Sequence, residues 1–328
     1  MIIVSRCPYR ISLLGGGSDL ISFLEKFDKG LCIGFSIPLY SRVVLSYRNS
    51  DSLHGILNYS SREEYSDLNS ICHPIIRNCL QILNIKKPIE LASFGEPISG
   101  TGLGSSSSFT VALIQGLYAL QKIEISNEEI ANIACQVEIE KMKKPIGKQD
   151  QYLCALGGVN ILEFQKNKKV IKKKSHKIND AIYKFMENTF LVNTGINRSA
   201  SKVLKKISSN SDNFEYIKEI YNVAYDFLNE INNDQNIITK NLEKSIIKSW
   251  SLKRNIVGTM NEKLIDIESF LEKKNFQILK LLGAGGGGYF LVKYKGENFN
   301  KDEEFLIKKN LHISKVSISK SGSDFYRL

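Results

Sequence analysis

No Cys-x-x-Cys pair occurs in the chain, and no histidine stands at zinc-ligand spacing from its six cysteines, at positions 7, 32, 72, 79, 135 and 154. Thiols scattered in this way read as reduced, mostly buried side chains. They exclude a disulfide framework and a zinc site and point to a cytoplasmic setting. No run approaches the roughly 20 apolar residues of a membrane span. Met1 to Cys7 lacks the basic flank and long apolar core of a secretion signal. These absences predict a soluble protein with no membrane partner that stays where it is made. Prolines are few, 6 in 328 residues, and 42% of the chain is hydrophobic, an ordinary globular composition. The length fits two packed domains better than one core.

The net charge of +11 has three readings: a nucleic-acid binder, an enzyme for anionic ligands, or a lysine-rich surface of no special meaning. The densest run, Lys166 to Lys174, holds six lysines but no aromatic residue on which a base could stack. Asn- and Lys-rich stretches such as Asn229 to Asn241 suggest a general bias of composition, so nucleic acid is not an expected partner.

Ile2 to Ser5 and Arg42 to Tyr47 predict strands from their β-branched and alternating residues. Phe109 to Leu120 has apolar residues at helical spacing. Ser126 and Glu129 form a capping-box pattern that opens a helix running to about Lys143, before Pro145. The basic run at 166–174 predicts an exposed hairpin or linker closing a first domain, 1–175, with a second domain over 176–328. Phe214 to Ile231 and Thr259 to Leu271 predict helices, and Tyr289 to Tyr294 and His312 to Ile318 predict strands. No repeat of fixed period is present. The expected class is α+β in two halves.

Glycine loops punctuate this pattern at three places. The first, Arg10-Ile-Ser-Leu-Leu-Gly15-Gly16-Gly17-Ser18-Asp19, gives up side-chain packing for backbone freedom, which suits a sharp turn or a close approach to a ligand. The second, Gly100-Thr-Gly102-Leu103-Gly104-Ser105-Ser106-Ser107-Ser108, leads directly into an apolar helix. Convergent N–H groups and unpaired amides at a helix start make an anion site suited to phosphates, and the serine hydroxyls add donors or reach a phosphate-bound magnesium. It is not the common nucleotide loop, because the only Gly-Lys pair, Gly147-Lys148, is followed by Gln149. The third, Gly283-Ala-Gly285-Gly286-Gly287-Gly288, contains Gly-x-Gly-x-x-Gly, with Glu303 about 20 residues on. A helical pattern before it and a strand after it are the reverse of a dinucleotide fingerprint. No His-Arg-Asp or Asp-Phe-Gly accompanies it, which excludes a protein-kinase loop. A fourth feature is Glu138, at the edge of an apolar helical stripe, followed by a loop that displays Lys148 and Asp150. An aspartate of ordinary pKa, about 3.9, can orient an attacking hydroxyl and accept its proton. A solvated glutamate and a loop-capping aspartate are the plainer alternatives.

Taken together, Arg10–Asp19, Pro97–Ser108 and Gly283–Gly288 resemble, in order and across the chain, the motifs of the GHMP kinases. The resemblance implies a ribosomal-S5-like N-terminal domain and a ferredoxin-like C-terminal domain, with ATP bound between them. It implies that Gly100, Gly102, Leu103, Gly104, Ser105, Ser106 and Ser107 wrap the phosphates, and that Ser105 and Glu138 hold Mg2+. Asp150 would be the base, with Arg10 and Lys148 as its catalytic companions. Gly15, Gly16, Gly17, Ser18 and Asp19 would bind the sugar, and Gly285 and Gly286 would close over it. Within the family, the Arg-Ile-Ser-x-x-Gly-Gly-Gly-Ser-Asp and Gly-Lys-Gln-Asp-Gln-Tyr motifs are most similar to the branch acting on D-glycero-D-manno-heptose 7-phosphate. Thr194 to Ser201 resembles that branch too, and Arg198 or Lys148 would supply a cation for the sugar's phosphate. A kinase for an unphosphorylated sugar such as L-fucose and a non-catalytic ATP- and sugar-binding regulator are the alternatives. The resemblance leaves room for a homodimer.

Overall fold

The fold is seen in a computed structural model, which describes residues 1–49, 53–95, 100, 102–197, 203–205, 207, 210, 212–231 and 233–328. Among the described residues the first sheet has eight strands and is built on two long ones. Ile2–Leu14 runs antiparallel to Lys29–Tyr47, whose first half also pairs with Val159–Gln165 and whose second half pairs with Ile89–Gly95. Burial alternates at the start of Ile2–Leu14 and becomes almost continuous from Cys7 onward, because layers of structure cover both faces there. Pro8 cannot donate to the ladder, and the register shifts between Pro8 and Tyr9. The strand thus extends well past the Ile2–Ser5 segment predicted from sequence and carries Arg10 into the interior.

The helix predicted from Phe109 begins four residues earlier and spans Ser105–Leu120. Gly104, with a left-handed φ of 78°, starts it without any side-chain cap. The serines do not compete with the helix backbone at this end, since Ser108 Oγ donates to the Cys7 carbonyl at 2.7 Å and others reach Glu138. The capping box at Ser126 and Glu129 forms as expected. Its helix, Asn127–Cys135, then widens into a π-helical turn over Gln136–Lys141, with Met142 N–H donating to the Val137 carbonyl. The basic run forms a hairpin between Val159–Gln165 and Val170–Lys173.

Among the described residues the second sheet has four antiparallel strands: Ile313–Lys315, Thr189–Asn193, Tyr289–Tyr294 and Phe276–Leu281. The helical pattern read ahead of the third glycine loop is therefore corrected: the loop joins two antiparallel strands. Phe276–Leu281 is buried on both faces, and the run of apolar residues that this requires hides its period of two. His176–Met186, Asp212–Asn229 and Gln235–Arg254 are the helices that share a core with both sheets. The Asn/Lys-rich stretch near residue 235 opens a 20-residue helix, in which Ile238, Leu242, Ile246, Ser249 and Trp250 form one buried stripe. The expected boundary at 175 falls between Val170–Lys173 and His176–Met186. The last strand, Asp324–Arg327, returns to pair with Ile2–Leu14.

Candidate active site

The first glycine loop, the second glycine loop, the Glu138–Asp150 region and a wall from Ser249 to Ala284 all line one cavity of about 750 Å³, with Ile217, Ile220 and other side chains completing it. Arg10 is the hub. Its Nε and Nη2 donate to Asp150 Oδ1 and Oδ2 at 2.7 and 2.5 Å, and its Nη1 donates to the Gly102 carbonyl at 2.6 Å. One planar guanidinium thus fixes the carboxylate relative to the second glycine loop. Burial works against the Arg10 charge, but Asp150 outweighs it and the pKa of Arg10 is raised. Asp150 sits in the first turn of the Gln149–Leu156 helix, where the dipole favours a negative side chain. Its side chain stays 27% exposed against 6% for Arg10, so the carboxylate is within reach of a ligand.

Asp19 closes the first loop and is buried beside this pair. It accepts from the Gln149 N–H at 2.9 Å and from Gln149 Nε2 at 2.8 Å. Burial is the largest influence on its carboxyl and, with the nearby charge of Asp150, pushes its pKa up to about 6. A Cβ at Gly147 would fall on Asp19 Oδ2, so this position must be glycine for the carboxylate to dock. Gly16 and Gly17 line the cavity, whereas Gly15 and Ser18 lie behind it. There the Ser18 hydroxyl donates to the Gly15 carbonyl and accepts from the Leu31 N–H, holding the loop in shape.

Glu138, on the π-helical turn, is fully buried. It accepts from Ser106 Oγ at 3.0 Å, Ser107 Oγ at 2.7 Å, Gln151 Nε2 at 2.7 Å and Lys144 Nζ at 2.7 Å. Its hydroxyl partners are thus Ser106 and Ser107, while Ser105 heads the helix one residue earlier and lines the cavity. Gln151 Oε1 is buried without a hydrogen-bond partner among the described residues. Carboxylate, hydroxyl and amide oxygens are the hard donors that magnesium takes, so the residues present fit that ion.

The second loop holds Gly100, Gly102 and Gly104 at φ values of 79°, 86° and 78°. A Cβ at Gly102 would lie 2.6 Å from the Leu282 carbonyl, so the second and third loops touch. Leu103 is buried, and its carbonyl accepts from the Arg10 N–H at 3.0 Å. In the third loop, Gly286 N–H donates to the Thr259 carbonyl at 2.8 Å, and a Cβ at Gly285 would meet Thr259. Gly285 and Gly286 therefore back the cavity through Thr259, while Gly283 and Ala284 line it.

The predicted residues do not all converge. Lys148 Nζ donates to the Lys168 carbonyl at 2.6 Å in the basic hairpin, away from Asp150, and burial lowers its pKa. Arg198 lies outside the described residues. Three lysines that sequence reading missed, Lys144, Lys253 and Lys280, do line the cavity. Lys144 stands six residues after Glu138, a spacing that only the π-helical turn and the following bend make a contact. Lys280 is one lysine inside an apolar strand, and no local pattern marks it.

Residues 72–158 match the family of GHMP kinases N-terminal domains. This segment is a GHMP kinase N-terminal domain. That GHMP kinase domain contains the second glycine loop, Glu138 and Asp150. Over 345 aligned positions the chain is 26% identical to the D-glycero-alpha-D-manno-heptose 7-phosphate kinase of Campylobacter jejuni, covering 99% of each protein. It is 28% identical over 200 residues to a mevalonate kinase of Archaeoglobus fulgidus, covering 60% of this chain and 63% of that one. The structure of a D-glycero-D-manno-heptose 1-phosphate kinase from Bacteroides thetaiotaomicron superposes with a TM-score of 0.73 at 17% identity over 99% of both chains, a likeness of fold alone. The chain has the α+β GHMP kinase fold that its motifs implied, and residues 72–158 carry the N-terminal domain of that family.

Proposed function

We propose that the protein is an ATP-dependent kinase that transfers the γ-phosphoryl group to the anomeric hydroxyl of D-glycero-D-manno-heptose 7-phosphate, giving the 1,7-bisphosphate. The observation that carries this reading is the Arg10–Asp150 pair, tied to the Gly102 carbonyl and lining the shared cavity with its carboxylate partly accessible. The full-length likeness to a heptose 7-phosphate kinase supports the choice of acceptor.

In this reading Gly100 to Ser107 cradle the ATP phosphates through amides at the start of the Ser105–Leu120 helix. Asp150 orients the acceptor hydroxyl and takes its proton as the oxygen attacks phosphorus. Arg10 holds that carboxylate in register and offsets negative charge on the transferring phosphoryl. Asp19, with Gly16 and Gly17, accepts hydrogen bonds from sugar hydroxyls. Magnesium, held by Glu138 with the serine hydroxyls of the second loop, would neutralise charge on the nucleotide phosphates. Catalysis is then mostly positioning and electrostatics. The reading places the enzyme in the cytoplasm, in the supply of activated heptose for surface glycans. No described helix is long and apolar enough to cross a membrane.

The test is ADP release and product mass with ATP, magnesium and the heptose 7-phosphate, beside free heptose, L-fucose, galactose and mannose 6-phosphate. Conversion of the heptose phosphate at the anomeric carbon, well above the other sugars, is expected. Preferred turnover of another sugar would overturn the substrate, and ATP binding without turnover of any would favour a regulator.

A further inference from the structure

The cavity wall from Ser249 to Ala284 holds polar groups to which the mechanism above gives no part. Ser249 Oγ and Thr259 Oγ1 are buried, and neither has a hydrogen-bond partner among the described residues. Buried hydroxyls ordinarily find one. Ser249 lies four residues before Lys253 on the Gln235–Arg254 helix, so the two share a face. Lys253 Nζ donates to the Leu281 and Gly283 carbonyls at 3.0 and 2.5 Å, which brings it beside the strand that carries Lys280. Lys280 is itself buried, and its ammonium donates to the Ser12 and Leu13 carbonyls at 2.9 and 2.8 Å, with no carboxylate paired to it among the described residues. Burial, with the charge of Arg10 nearby, pulls its pKa down to about 8. A buried cation held only by carbonyls is costly, and an incoming anion relieves that cost. Arg10 and Lys144, which line the same cavity, are paired with the carboxylates of Asp150 and Glu138. Ile217, Ile220 and Ile256 also line the cavity and offer carbon chain, not charge, an apolar surface.

We propose that Lys280 and Lys253, with the hydroxyls of Ser249 and Thr259, form the subsite for a phosphate group already present on the acceptor, and so select a phosphorylated sugar over a free one. The proposal rests on the kinase reading above and deepens it. Two ammonium groups and two hydroxyls supply the charge-assisted and neutral donors that a phosphate dianion takes. An acceptor without that phosphate leaves the Ser249 and Thr259 hydroxyls unmatched and the Lys280 charge on carbonyls, which is how a buried polar site discriminates.

The experiment uses the full chain and its Lys280→Met, Lys253→Met and Ser249→Ala variants in two arms. In the first, kcat/KM is measured for D-glycero-D-manno-heptose 7-phosphate and for free heptose. Lys280→Met is expected to cut the preference for the phosphorylated sugar at least about 30-fold, and Ser249→Ala about 5-fold. Equal losses on both acceptors would overturn the subsite. In the second arm, calorimetry measures inorganic phosphate binding to protein saturated with a non-hydrolysable ATP analogue. Binding by the wild type that the lysine variants lose is expected, and unchanged binding in them, or none in the wild type, would overturn the proposal. Phosphate binding lost in the variants, without turnover of the heptose phosphate, would overturn the named substrate and leave the subsite standing. Should Lys280→Met not fold, Lys253→Met and Ser249→Ala carry both arms.

Discussion

The two walls of the cavity differ in how their polar groups are satisfied. On the N-terminal side, Arg10, Asp150, Glu138, Lys144 and Asp19 are each bound into a mesh of 2.5–3.0 Å contacts that spans the second glycine loop and the Gln149–Leu156 helix. On the C-terminal side, among the described residues, the Ser249 and Thr259 hydroxyls lack partners and Lys280 rests on carbonyls alone. The contrast separates two tasks. Groups locked to one another before any ligand arrives can hold a reacting hydroxyl in one geometry, since little reorganises during the reaction. Groups without partners gain most from a ligand that completes them, and so discriminate between ligands.

That contrast can be broken from either side. The largest effect is expected from Arg10→Met, which unties Asp150 from the Gly102 carbonyl: steady-state assays should show kcat lower by about 10³-fold. Gly147→Ala should come next, because its Cβ would fall on the Asp19 carboxylate. The acceptor KM should rise by roughly tenfold or more, with the KM for ATP changed far less. A third prediction concerns pH. Asp19 must be ionised to accept hydrogen bonds from the sugar, and its pKa is about 6. Acceptor KM should therefore rise as pH falls below about 6, approaching tenfold per unit, and Asp19→Asn should flatten that limb. For stability the sign is opposite. The folded pKa of Asp19 lies above the unfolded 3.8, so the folded state binds this proton more tightly, and the Asp19 contribution to stability declines as pH rises from about 4 to about 6. Denaturant titrations of wild type and Asp19→Asn across that range should diverge accordingly. The smallest effect is kept for a control outside both walls: Ser126→Ala removes a capping box and should cost about 1 kcal/mol in urea unfolding while leaving kcat alone.

Residues in local motifs were legible in the sequence. The glycine runs, the serines after Gly104, and the Gly147 to Asp150 stretch each combine residue types that packing alone does not explain, and members of each line the cavity. Groups placed by tertiary structure were not. Lys280 reaches the cavity because Phe276–Leu281 is buried on both faces beside Ile2–Leu14, and a lone lysine in an apolar run announces nothing about its far end. Lys148 looked catalytic from its place two residues before Asp150, but the start of the helix points its ammonium to the basic hairpin instead. The Gln235–Arg254 helix was hidden because Asn and Lys fill its exposed face and the buried stripe is narrow. The strand Ile2–Leu14 was read short, since Pro8 and Arg10 interrupt its apolar pattern, and only a register shift and a buried ion pair accommodate them.

Turnover of D-glycero-D-manno-heptose 7-phosphate by Asp150→Asn, measured beside its affinity for ATP, tests the central claim most directly. Near-wild-type ATP binding with kcat down by at least about 10²-fold is the predicted result, since the amide keeps the size of the side chain but neither takes the proton nor pairs with Arg10. Retained turnover would remove Asp150 from the reaction and contradict the account.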